Sequence, residues 1–187
     1  MPIALAVVFG FCAVAMIGIM VYFSCIDTKT DLGSFERIIR FNDIWGTHRG
    51  FMWIRSIWIF GDASFIEKLF GVGPDMFYSA FSPYFDDLSK YGDSSTNAAH
   101  NEYLNYLITI GITGLLSYLA IVCGTIKNAV KYAKENPMLI ACVSAVICYA
   151  VQAVVNLYQP ITTPLFFIFI ALCEAFVRNA KAEKSAV

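Results

Sequence analysis

The sequence predicts an all-α membrane protein. Four transmembrane helices are expected, with a long extracytoplasmic loop containing short amphipathic helices between helices 1 and 2. Three observations predict this. Of 187 residues, 58% are hydrophobic and 14% charged, with a mean hydropathy of +0.64, well above a soluble domain. The apolar residues gather into stretches of bilayer-spanning length, about 20 residues each. The basic residues outside the long loop fall into two short segments, separated by two such stretches.

The first stretch, Pro2 to Ser24, carries no charge. A signal peptide would need a basic n-region and a short apolar core. No Lys or Arg precedes Lys29, and the run is too long, so residues 1–24 read as a retained span. Tyr103–Ile126, Met138–Leu157 and Ile161–Val177 supply three more, interrupted only by Glu174. Residues 25–102 then form an extracytoplasmic region, 103–178 a three-helix membrane region and 179–187 a tail.

Charge sets the orientation. Lys127, Lys131 and Lys134 are opposed by Glu135, and Arg178, Lys181 and Lys184 by Glu183. Short loops rich in Lys and Arg stay cytoplasmic. Both segments therefore belong inside, as do both termini. The loop 25–102 and the turn Tyr158–Thr163 are outside. The chain is expected to cross its membrane several times. Long loops translocate largely regardless of charge, so basic residues in the outer loop do not disturb this.

The six cysteines form no disulfide framework. Cys12, Cys123, Cys142, Cys148 and Cys173 lie in apolar spans, and Cys25 stands alone at the outer edge. In apolar surroundings Cys behaves as a small hydrophobe. The chain has no Cys-x-x-Cys or His/Cys ligand spacing, so no metal site is expected. No cofactor and no nucleic-acid partner are expected; membrane lipids are.

The outer loop is too long for a bare connection. Phe35, Ile38 and Ile39 have helical spacing, with Ser34 as N-cap. Thr47 to Phe60 reads as a second helix with a wide apolar side. Asp75 to Leu88 is rich in aromatics and is expected at the outer membrane–water interface. Gly71-Val72-Gly73-Pro74 is a turn, not a dinucleotide fingerprint, because the third glycine and a preceding strand are missing. Gly92 to Asn97 is a flexible polar stretch that leads into His100.

His100 stands at the edge of the second span, where an ionisable group is costly without a role or partner. On a continuous helix at 100° per residue, Gly111 would return to within about 20° of His100, and Gly114 to within about 40°. Such small residues let membrane helices approach closely. A nearby helix N-terminus disfavours imidazolium and favours anions, which suits a neutral His acting as general base. The alternative is an interfacial His that only hydrogen-bonds a neighbouring loop.

Arg49 and Trp53 are four apart and share a helix face. An Arg here can grip a phosphate through paired N–H groups, or snorkel to the lipid headgroups. Snorkelling suits Arg37, Arg40 and Arg55 as well. Asp86, Asp87 and Asp93 suit cation binding, polarisation of an acceptor or a solvated acidic surface. Glu174 has Arg178 as an i,i+4 partner.

These residues carry a resemblance. His100-Asn101, nine residues, then Gly111-x-x-Gly114 resembles the signature of the O-antigen ligase-related membrane proteins. Those include lipopolysaccharide O-antigen ligases, O-antigen-type and capsular polymerases, and teichuronic acid synthesis proteins. Thr47-x-Arg49-x-x-x-Trp53, followed by Leu69-Phe70-Gly71-Val72-Gly73-Pro74, is similar to the Arg–Trp and Gly-x-Gly elements upstream of that His. The order and spacing agree from about Phe41 onward.

The resemblance implies a metal-independent, inverting glycosyltransferase of the GT-C type. The donor would be a glycan on undecaprenyl diphosphate, and the acceptor a sugar hydroxyl on a glycan or lipid-linked glycan. His100 would be the base on that hydroxyl and Arg49 the ligand of the diphosphate leaving group. Arg55, Asn101 and Trp53 would join Arg49 in binding substrate, while Gly71, Gly73, Gly111 and Gly114 would be structural. Family members have more spans, so the chain is expected to be the C-terminal portion of such an enzyme. Two other classes stay open. A transporter or transport accessory would show inverted repeats and broken mid-membrane helices, neither of which is legible here. A non-catalytic fragment would only pack against other membrane proteins.

Overall fold

The computed structural model describes residue 11 and residues 14–185. Helices make up its regular structure, and no strand occurs among the described residues. In chain order they are α1 (Val14–Ile26), α2 (Glu36–Ile39), α3 (Trp45–Asp62), α4 (Phe65–Phe70), α5 (Phe77–Phe81), α6 (Phe85–Ser89), α7 (Glu102–Thr109), α8 (Gly111–Tyr132), α9 (Met138–Gln152) and α10 (Thr162–Ser185). Much of the expected first span, Pro2–Ser24, lies outside the described residues.

Only α8 among the described helices is long and apolar enough to cross a membrane. α9 has 15 residues, about 22 Å at 1.5 Å per residue, against an apolar core of about 30 Å. α10 has 24 residues but its last turns carry Arg178, Lys181, Glu183 and Lys184.

The expected single helix over Tyr103–Ile126 is two. α7 stops at Thr109, and α8 restarts at Gly111, whose φ is +69°. The cause is the Gly-x-Gly turn after α4. Val72 N–H donates to the Ile108 carbonyl at 2.9 Å and Gly73 N–H to the Thr109 carbonyl at 3.0 Å. In return, Thr113 Oγ1 donates to the Leu69 carbonyl at 2.7 Å. Two backbones cross here, and both crossing residues are glycines in the left-handed region. A Cβ on Gly71 would collide with the Thr109 carbonyl, and one on Gly111 with the Leu69 carbonyl. Gly114 makes room for the Ile110 side chain. The break also removes the stripe predicted to join His100 to Gly111 and Gly114, because no continuous helix relates them.

Three expectations in the outer segment change too. Ser34 caps nothing: a 3-10 turn over Gly33–Phe35 leads into α2 without a side-chain cap. Arg40 is not snorkelling. It donates to the carbonyls of Phe23 at 3.0 Å and Thr30 at 2.8 Å, and grips Glu36 at 2.7 and 2.8 Å, tying the end of α1 to α2. Phe77 and Phe81 do not lie at an interface. They are 1% and 0% exposed and pack with Phe51, Met52, Leu88, Ala99 and Ile108 as a core under α3 and α7.

A second core joins α8, α9 and α10. Tyr118, Val122, Val146 and Phe166 pack at one level, and Ala129, Leu139, Cys142, Cys173 and Val177 at another. Cys142 and Cys173 are buried free thiols, and Cys25, Cys123 and Cys148 are free as well. Glu174 pairs with Arg178 at 2.8 Å, as its i,i+4 spacing predicts.

Gly71→Ala and Gly111→Ala should each cost about 2–4 kcal/mol, from a left-handed Cβ plus overpacking. Gly61→Ala, in the last turn of α3 with nothing within 4 Å of the added Cβ, should instead gain about 0.4–1 kcal/mol by reducing the entropy of the unfolded chain. Thermal unfolding in detergent checks both. Equal midpoints for all three variants would remove the crossing from the list of stabilising features.

Candidate functional site

His100 sits outside the helix, in the residue before the N-cap of α7. Its φ is +51°, an uncommon conformation for a residue with a Cβ. The residues around it are fixed. Asn101 Oδ1 accepts the Leu104 N–H at 3.0 Å, the geometry of an N-cap. Asn105 Oδ1 accepts the Ala99 N–H at 3.4 Å. Asn101 is buried and its side-chain oxygen caps α7.

The half-buried His100 opens on a polar pocket of about 340 Å³. Asp93, Ser95, Thr96 and Asn97 line it from the loop, and Met52 and Tyr78 from α3 and α5. Burial lowers the imidazole pKa first, and the positive charge of Arg49 lowers it further, while Asp93 opposes both. The neutral imidazole, the form able to take a proton, is thus favoured.

Arg49 reaches this region from the start of α3. The helix begins with Gly46, Thr47 and His48 in left-handed conformation, so regular helical geometry starts at Arg49 rather than at the expected Thr47. Asn42 organises the entry. Its Oδ1 accepts the Ile44 N–H, its carbonyl accepts the Trp45 N–H, and Gly50 leaves that carbonyl its space. His48 stacks on Tyr91 with ring centroids 4.7 Å apart. Arg49 is half-buried and makes no ion pair among the described residues.

Arg55 and Trp53 are placed differently from the expectation that they bind substrate. Arg55 donates to both oxygens of Asp43 at 2.6 and 2.9 Å and lies over the rings of Phe51 and Trp58 at 4.2 and 4.7 Å. Its fork is filled by a carboxylate of the chain itself. Trp53 packs against Phe41 and Trp45, with centroids 6.0 and 5.1 Å away, and is not part of the His100 pocket lining. Among the described residues, no cluster of three His, Cys, Asp or Glu is placed to hold a metal ion.

One buried acid beside His100 has no mark in the sequence. Glu102, two positions after His100, is 1% exposed. Its Oε2 accepts the Tyr149 hydroxyl at 3.0 Å, and burial pushes its carboxyl pKa up. An acid in the first turn of a helix is ordinary, and only the tertiary packing encloses this one.

A family model described as O-Antigen ligase matches residues 3–119. The chain belongs to the O-antigen ligase family. The matched segment contains Arg49, His100, Gly71, Gly111 and Gly114 and ends inside α8. Neither the curated proteins nor the solved structures yield a match. Membership associates the chain with glycan transfer in polysaccharide biosynthesis, and with lipid-linked glycan substrates at the bacterial inner membrane.

Arg55→Ala should destabilise the protein by about 1–3 kcal/mol, because it leaves Asp43 part-buried and unpaired. Arg55→Ala combined with Asp43→Asn should recover part of that loss. A double-mutant cycle on thermal unfolding measures it, and additive effects would show that the pair contributes nothing.

Proposed function

We propose that this chain carries the base and the leaving-group clamp of a glycan ligase or polymerase. The reading rests on one juxtaposition: His100 opens on a polar pocket of about 340 Å³, and Arg49, without an ion pair among the described residues, adds a positive charge that lowers its pKa. His100 takes the proton from an acceptor sugar hydroxyl. The hydroxyl oxygen attacks the anomeric carbon of a glycan carried on undecaprenyl diphosphate. The bond from that carbon to the diphosphate breaks with inversion, and Arg49 holds the negative charge that appears on the diphosphate. No metal or cofactor takes part. Asp93, Ser95, Thr96 and Asn97 are the groups able to hydrogen-bond the acceptor sugar.

Four spans and an outer loop over residues 25–102 complete the proposal. α8 crosses the membrane with its His100 end outward. The basic ends of α8 and α10 face the cytoplasm, where Glu135 of the α8–α9 turn pairs with Lys184. Lipid-linked glycans displayed on the outer leaflet then meet the pocket from the membrane side.

His100→Ala should lower transfer from a lipid-linked oligosaccharide by roughly 10²–10⁴-fold, the range of a general base, with membrane insertion unchanged. Arg49→Ala should do likewise, and Arg49→Lys should restore little, since an ammonium lacks the paired N–H fork. Normal transfer by His100→Ala at parental expression would overturn the assignment.

The pH profile carries a second test. The working base is the neutral imidazole, so the acid limb of kcat/KM should lie below the ordinary His value of about 6.5. Asp93 raises the His100 pKa, so Asp93→Asn should move that limb to still lower pH. A limb that stays put or moves upward would separate Asp93 from His100.

A further inference from the structure

Glu102 is the one carboxylate, and the one residue of the Asp, Glu, Lys, Arg and His set, that is buried among the described residues. Enclosing a carboxyl costs free energy unless its partners or its role offset it. An apolar side chain would fill the same space. Oε1 has no hydrogen-bond partner among the described residues, so the enclosure is not a fully satisfied polar network.

Its contacts lead in one direction. Oε2 accepts the hydroxyl of Tyr149, near the end of α9, at 3.0 Å. That hydroxyl also bonds Thr163 Oγ1, in the first turn of α10, at 2.7 Å. Thr163 Oγ1 in turn accepts the Gln159 N–H at 3.0 Å. The Glu102 N–H donates to the Ala153 carbonyl at 2.9 Å, and Tyr103 Oη donates to the Ala150 carbonyl at 2.7 Å. The first turn of α7 is therefore fastened to the C-terminal end of α9 and, through Tyr149 and Thr163, to the first turn of α10.

His100 lies immediately before that fastened turn and keeps a left-handed φ. Such a backbone persists only where the surroundings over-determine it. The N-cap by Asn101 and the Asn105–Ala99 bond act within the loop and α7. The Glu102–Tyr149, Glu102–Ala153 and Tyr103–Ala150 contacts tie this stretch to a part of the fold that lies beyond the family-matched residues 3–119.

We infer that Glu102 is a positioning residue: by binding Tyr149 it locks the first turn of α7 onto the C-terminal end of α9 and so holds His100 at its pocket. This rests on the reading of His100 as the base.

The test uses the full chain in detergent or liposomes and does not depend on transfer. The chain has two histidines, His48 and His100, so one serves as the internal reference. Carbethoxylation by diethyl pyrocarbonate is followed at each by peptide mass spectrometry. Glu102→Leu should change the His100 rate by roughly fivefold, the factor carried by one net hydrogen bond, with the His48 rate unchanged. Tyr149→Phe should do the same while keeping its ring stacked on Phe166, and stands in for Glu102→Leu if that variant does not insert. Glu102→Gln, whose amide oxygen still accepts the Tyr149 hydroxyl, should keep the parental rate. An unchanged His100 rate in Tyr149→Phe, or equal changes at both histidines, overturns the proposal. Transfer surviving in His100→Ala would overturn the base assignment instead, and this readout would not move.

Discussion

The structure depends on a crossing of two backbones. Gly71 and Gly111 approach so closely that neither tolerates a Cβ. Their neighbours exchange hydrogen bonds in both directions, from Val72 and Gly73 to Ile108 and Thr109, and from Thr113 back to Leu69. The free carbonyls at the end of α7 are answered there, and so is the need for a new direction at the start of α8. The aromatic core of the outer segment packs on one side of the crossing and the α8–α10 helices on the other. Without it, α7 would run on into α8, and the loop before α7 would lose its fixed direction relative to α3.

Electrostatics then separates the arginines of the outer segment by their partners. Arg40 is absorbed by Glu36 and the carbonyls at the end of α1, and Arg55 by Asp43 and two aromatic faces. Arg49 meets no acid among the described residues and instead acts on His100. A cation held near a half-buried imidazole makes that imidazole a weaker but predominantly neutral base. It also leaves a positive charge free for an anion. Both properties suit one chemistry, acceptance of a proton beside a departing phosphate.

Much of this was legible in the sequence. The apolar runs place α8, α9 and α10, and the spacing of His100, Gly111 and Gly114 marks the right segment. The break at Ile110–Gly111 was not legible, because Tyr103 to Ile126 is uninterrupted in hydrophobicity and the cause lies some forty residues earlier, in the Gly71 turn. The burial of Phe77 and Phe81 was hidden for a similar reason. Aromatic composition is the same for a protein core and a membrane interface, and only the packing of α5 under α3 distinguishes them. Arg55 and Arg49 read alike in sequence, since Asp43 lies twelve residues from Arg55 and outside any helical register. Glu102 was masked by an ordinary helix-start pattern.

The crossing also has an entropic side. Hydrogen bonds between residues 69–73 and 108–113 close the intervening chain into a loop that contains the polar stretch 92–97. The entropy of closing such a loop grows only logarithmically with length, and each doubling adds about 0.6 kcal/mol. Residues inserted or removed near Gly92, whose Cβ position is open space, therefore cost little against a closure already made. The stretch that lines the His100 pocket is free to change length and side chains, while the glycines that close the loop are not. Variation in the pocket wall is thermodynamically cheap, and the frame behind it is fixed.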